Sequence, residues 1–81
     1  MKVKVLYFAS LKSKLNKSYE DIEIEKDTTV QALKTLLLKK YPDLKGFLEN
    51  CMIAVNESYV DDNTLLKDND TVAIIPPVGG G

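Results

Sequence analysis

The chain has 81 residues, with eleven lysines and no arginine, twelve acidic residues, no histidine, one cysteine and a formal net charge of −1. One small core is all this length can build, and the side chains for histidine-dependent acid–base or metal chemistry, an internal disulfide, a thiolate cluster or a guanidinium fork are missing. Near-neutral charge without tryptophan gives no nucleic-acid footprint, and no apolar run approaches the roughly 20 residues of a membrane span.

Lys2 to Ala9 alternates at first, with Val3, Val5 and Tyr7 on one face and Lys2, Lys4, Leu6 and Phe8 on the other, which predicts a strand. Ser10 to Ser18 is polar and predicts a loop, with Leu11 and Leu15 touching the core edge. Lys12, Lys14 and Lys17 in it read as a solvated cluster rather than a recognition surface. Tyr19 to Glu25 alternates again, Ile22 and Ile24 inward, so the first two strands should form an antiparallel hairpin.

The period then changes. Thr28 or Thr29 is a candidate N-cap, with Gln31 three residues after Thr28. Asp27 suits the positive end of the dipole, and Lys39 and Lys40 the negative end. Val30, Leu33, Leu37 and Tyr41 recur at helical spacing and Pro42 ends the run, so a helix is predicted near 29–40.

Leu44, Phe47 and Leu48 suggest one further helical turn. Cys51 to Val55 reads as a short strand, with Cys51 in the core. Asn56-Glu57-Ser58 is a turn and Tyr59-Val60 a brief return strand. Asp61, Asp62, Asp68 and Asp70 fit turn-forming roles better than a calcium loop. Leu65 and Leu66 should plug the core, and Thr71 to Ile75 is the last strand.

A single amphipathic helix among these strands implies an α+β, β-grasp (ubiquitin-like) domain over residues 1–75, with a mixed sheet of four to five strands packed on one main helix. Its first and last strands should be neighbours, so Phe8 and Ile75 would share an exposed apolar patch that Tyr59 could join.

Residues 76–81 read as an extended tail, Pro76-Pro77-Val78-Gly79-Gly80-Gly81. Two prolines stiffen the exit, and the six residues past Ile75 reach roughly 20 Å. A slim, side-chain-free end can thread into another protein's active site and present a carboxylate there. That carboxylate becomes reactive only once ATP turns it into an acyl-adenylate, which a sulfur, amine or thiol nucleophile then attacks. The charged first residues, with no signal-peptide run after them, fit a cytoplasmic protein.

Phe8-Ala9, Ala54-Val55-Asn56 and the run from Asp68-Asn69-Asp70 to the Pro-Pro-Val-Gly-Gly-Gly ending resemble the MoaD family, the small sulfur-carrier subunits of molybdopterin synthase, over essentially the whole chain. The resemblance implies that Gly81 is adenylated by a MoeB-like adenylyltransferase using ATP and converted to a thiocarboxylate. The tail, Pro76 to Gly80, would then enter a MoaE-like large subunit of a heterotetramer. Sulfur would pass there to precursor Z to form the molybdopterin dithiolene. The chain would be a sulfur-donating subunit with no catalytic side chains, no metal and no stably bound cofactor. Phe8, Tyr59 and Ile75 would form the partner surface; Tyr59 replaces the aliphatic residue the family pattern leads one to expect, and Gly79 is a mild departure in the tail. The alternatives are a ThiS-like carrier or protein modifier, and a ubiquitin-fold interaction module.

Overall fold

In a computed structural model, which describes residues 1–77, five strands form one mixed sheet in the order β2-β1-β5-β3-β4. The strands are β1 (Lys2–Tyr7), β2 (Tyr19–Glu23), β3 (Met52–Val55), β4 (Ser58–Val60) and β5 (Thr71–Ile75). Two α-helices, α1 (Ala9–Leu15) and α2 (Val30–Lys40), and two 3-10 turns at Pro42–Leu44 and Leu48–Asn50 complete the domain. β1 and β5 run parallel at the centre and the other pairs are antiparallel, which is the β-grasp topology. Among the described residues, no helix is long and apolar enough to cross a membrane.

The core lies between the sheet and α2. The parallel register sets Val5 beside Val72 and Tyr7 beside Ile74, so the inward residues of the central strands coincide. Against them pack Val30, Leu33 and Leu37, the buried stripe of α2. Thr29 is the N-cap of this helix, its Oγ1 accepting from the Ala32 N–H at 3.1 Å, while the Thr28 hydroxyl donates to the Glu25 carbonyl. Tyr41 ends it, extended before Pro42.

Two expectations are corrected. The connection from β1 to β2 is a helix, α1, rather than a loop. Phe8 is extended before it and Asn16 closes it in the left-handed conformation (φ 57°). Leu11 is fully buried and Leu15 packs on the core from one turn later. Leu65 does not plug the core. Its backbone is extended, bridged to Thr29, so successive side chains point opposite ways: Leu66 goes in and Leu65 goes out.

Asp68, Asn69 and Asp70 set the central parallel pair. Asp68 Oδ1 accepts from the Lys2 N–H, the Asn69 N–H donates to the Lys2 carbonyl, and the Lys4 N–H donates to the Asp70 carbonyl. The buried Asp70 carboxylate accepts from the Lys67 N–H and from Asn56 Nδ2. Asn56 Oδ1 in turn accepts from the Thr71 N–H, so the β3–β4 hairpin is pinned to the start of β5.

Val55 pairs with Ser58, which leaves Asn56 and Glu57 as a two-residue turn with φ of 50° and 73°. Both central residues of such a turn are left-handed, and asparagine tolerates this far better than glutamate. Glu57→Gly is therefore expected to stabilise the domain by about 0.5–1 kcal/mol, after the greater freedom of glycine in the unfolded chain is offset. The urea midpoint should rise with an unchanged m-value; a fall would mean that the glutamate side chain matters more than its strain.

Candidate functional site

The sheet face away from α2 carries the candidate surface. Cross-strand partners share a face, and the registers string one row across all five strands: Tyr19, Leu6, Ala73, Ala54, Tyr59. The next row towards the chain exit pairs Ile75 with Met52, and Phe8 follows Tyr7 one residue beyond the end of β1. Lysine, aspartate and threonine occupy the other half of the face, where Lys4 lies opposite Asp21 on one side and Thr71 on the other.

The apolar half contains a groove of about 300 Å³ lined by Leu6, Phe8, Ala54, Tyr59, Ala73 and Ile75, with Glu57 and Thr71 at its margin. Two alanines make its floor and the larger side chains its walls. Phe8 is 44% exposed, Tyr59 66%, and Ile75 half-buried, so the structure brings these three sequence-predicted residues around one groove. Tyr19 and Met52, each 54% exposed, extend the same face and were missed in the sequence. The signal was available: each stands at odd spacing from a buried isoleucine of its own strand, Ile22 or Ile53.

The arm leaves at the edge of this face. Pro76 is buried rather than projecting, and Pro77 is the first exposed residue after β5. Both line a cleft with Ser10, Gly46, Phe47 and Asn50. Gly46 has a φ of 81°, which turns the chain between the two 3-10 turns beside that cleft. The remaining tail residues, Val78, Gly79, Gly80 and Gly81, lie outside the described residues. Cys51 is buried, its thiol pushed up in pKa by burial and donating to the Phe47 carbonyl at 3.4 Å, so it is a core residue rather than a nucleophile.

Behind the face, on the helix side, sits the one concentrated charge network among the described residues. Glu20 of β2 accepts from the hydroxyls of Tyr7 (2.5 Å) and Tyr41 (2.7 Å) and from Lys40 Nζ (2.6 Å). Lys17 donates to the Tyr41 hydroxyl at 3.0 Å and lies 3.7 Å from Glu20. Burial alone would raise the Glu20 pKa, but these donors outweigh it and hold the carboxyl at about 2. The Tyr7 hydroxyl is raised by burial and by its bond to Glu20, Lys17 mainly by its bond to Tyr41, and Lys40 by its bond to Glu20. The network ties β1, β2 and the end of α2 together, and none of its hydrogen bonds or ion pairs involves a residue lining the central groove.

Residues 5–81 match the model of the ThiS family. A molybdopterin synthase sulfur carrier subunit from Chlamydomonas reinhardtii is 35% identical, with all of both chains covered. A putative molybdopterin converting factor subunit 1 from Pyrococcus furiosus superposes with a TM-score of 0.88 at 32% identity, over 96% of this chain and 99% of that one. A chain of the Helicobacter pylori complex of molybdopterin-converting factor subunits 1 and 2 matches with a TM-score of 0.73 at 33% identity, with both chains fully covered.

Proposed function

The chain belongs to the ThiS family, and we propose that it is the sulfur carrier of a molybdopterin synthase, with the Gly81 carboxylate as its reacting group. The observation that carries this reading is the coincidence of two features at one end of the sheet. An apolar groove bounded by Phe8, Tyr59 and Ile75 opens beside the strand end from which the Pro76-Pro77 arm departs. The groove gives a partner something to hold, and the arm gives the carboxylate reach. A 35% identity to a sulfur carrier subunit over the full length of both chains, and likeness to a chain from a two-subunit complex, support the same reading.

The chemistry proceeds in three steps. A MoeB-like adenylyltransferase uses ATP to convert the Gly81 carboxylate to an acyl-adenylate, releasing pyrophosphate. A sulfur nucleophile attacks the carbonyl carbon, AMP leaves, and a thiocarboxylate remains. In a MoaE-like large subunit the thiocarboxylate sulfur bonds to a carbon of precursor Z as an oxygen substituent leaves that carbon. Water then cleaves the acyl C–S bond of the resulting thioester, leaving the sulfur on the pterin and returning the Gly81 carboxylate; two such rounds, each with a freshly charged carrier, build the dithiolene. No side chain of this chain takes or gives a proton in these steps, and its contribution is to bind and to position. A heterotetramer, with one carrier at each end of a large-subunit dimer, and a cytoplasmic location complete the proposal.

Incubation with a MoeB-like enzyme, ATP and a sulfur donor should give an intact-mass gain of sulfur for oxygen, localised to the C-terminal peptide. A MoaE-like subunit and precursor Z should then yield molybdopterin. No mass gain would overturn the carrier reading, and a mass gain without molybdopterin would move the chain to a ThiS-like carrier or modifier.

A further inference from the structure

A second recess opens on the same face, outside the groove assigned above. It measures about 350 Å³ and lies between Phe8 and Tyr19 at the β2 edge, with Leu6 and Tyr7 in its floor and Ala9, Lys12 and Ser18 around its mouth. Leu6 and Phe8 line both this slot and the central groove, so the two are continuous across β1. α1 creates the slot, because a simple hairpin loop would place neither Ala9 nor Lys12 over the β1–β2 edge.

The lining is unusual in its charge. Among the described residues Lys12 is the only ionisable side chain lining the slot besides the two tyrosines, and no carboxylate side chain lines it. Lys12 forms no ion pair among the described residues, whereas Lys17 of the same cluster is held by Glu20 and Tyr41. Lys4 Nζ lies 5.2 Å from the centre of the Tyr19 ring, outside the lining of the slot and opposite Asp21 in the sheet register. An apolar slot with one uncompensated cation at its mouth fits an apolar side chain that has a carboxylate close to it in the partner's chain.

We infer that the Phe8–Tyr19 slot is a second anchor point for the large-subunit partner, taking an apolar side chain of that subunit while Lys12 pairs with a neighbouring carboxylate. The inference rests on the sulfur-carrier reading and deepens it: the central groove supplies the common hold, and the slot with its lysine supplies selectivity. A carrier whose edge lacks the aromatic ring or the lysine would dock on the same groove with lower affinity and a weaker dependence on salt.

Binding of the full chain to its MoaE-like subunit, measured by calorimetry at low and high salt, tests this. Tyr19→Ser and Lys12→Glu should each weaken binding about tenfold or more, in the range of an anchor residue. Lys12→Arg should bind like the unaltered chain, and Lys12→Ser should flatten the salt dependence. Tyr19 and Lys12 are both exposed, so thermal unfolding should stay in place and report that the domain is intact. Tyr59→Ser serves as the control for the central groove. If Tyr59→Ser weakens binding while Tyr19→Ser and Lys12→Glu do not, the slot is overturned and the groove stands. If all three bind unchanged, the sheet face itself is not the docking surface and both readings fall.

Discussion

A chain lacking Gly81 is expected to lose the sulfur-for-oxygen mass gain and molybdopterin formation together, while unfolding at the same temperature as the full chain. Stability should not change because the hydrophobic core closes at Ile74 and Pro76, upstream of the deletion. Activity should collapse because a carboxylate now on Gly80 sits one residue short. One residue of extended chain is about 3.3 Å, and a misplacement of about 1 Å at a reacting centre already costs about a hundredfold. A loss of at least that size, in both the adenylation and the transfer assay, is therefore the expected result. Binding to the large subunit should fall much less, since the groove at Phe8, Tyr59 and Ile75 is untouched. Retained sulfur loading in the shortened chain would show that the acylated group lies elsewhere.

The legible parts of this molecule share a physical cause. β1, β2, β5 and α2 each bury one face or stripe, and burial of one face writes a period into the sequence: Val3, Val5 and Tyr7; Ile22 and Ile24; Val72 and Ile74; Val30, Leu33 and Leu37. α1 left no such mark. It has seven residues, Phe8 provides no side-chain cap, and its first residue, Ala9, has a φ of 51°. Helices that short are marginal in water on their own, so this one is held by Leu11 in the core, a tertiary contact that local spacing does not encode. The same reasoning explains the site. Phe8, Tyr59 and Ile75 could be placed by strand parity, but the slot beside Tyr19 depends on α1 and was hidden with it. Asp68, Asn69 and Asp70 looked like generic turn formers, and only the sheet registers reveal that they hold the parallel pair from which the arm emerges.

Glu20→Ala is expected to destabilise the domain by about 3 kcal/mol, the size seen when a part-buried network loses its only carboxylate. The Tyr7 hydroxyl is buried and donates to Glu20 alone, so truncation leaves a donor without a partner beneath the sheet. The unaltered protein should show the same network through its pH dependence. The folded pKa of Glu20, about 2, lies below the usual glutamate value of 4.5. Its contribution is therefore fully present above the unfolded value and is lost as pH falls towards the folded one. Between about pH 5 and about pH 2 the free energy of unfolding should drop by about 2 kcal/mol on this account, less than the full shift implies because solvent reaches the sheet edge. Glu20→Gln separates the two effects: the amide oxygen still accepts from Tyr7, so stability near neutrality should fall by less than in Glu20→Ala, while the acid-side loss in that window should disappear. Urea unfolding of the three proteins across that range measures both, and an unchanged acid slope in Glu20→Gln would assign the acid loss to other carboxylates. The position of Glu20 gives the stability a consequence at the surface. It points inward from the residue after Tyr19 and fastens β2 to Tyr7, Lys40 and Tyr41, so the edge that bears the Tyr19 ring is held in register from behind. Glu20→Ala should accordingly weaken large-subunit binding through the slot even at temperatures where the domain stays folded, and by less than Tyr19→Ser does.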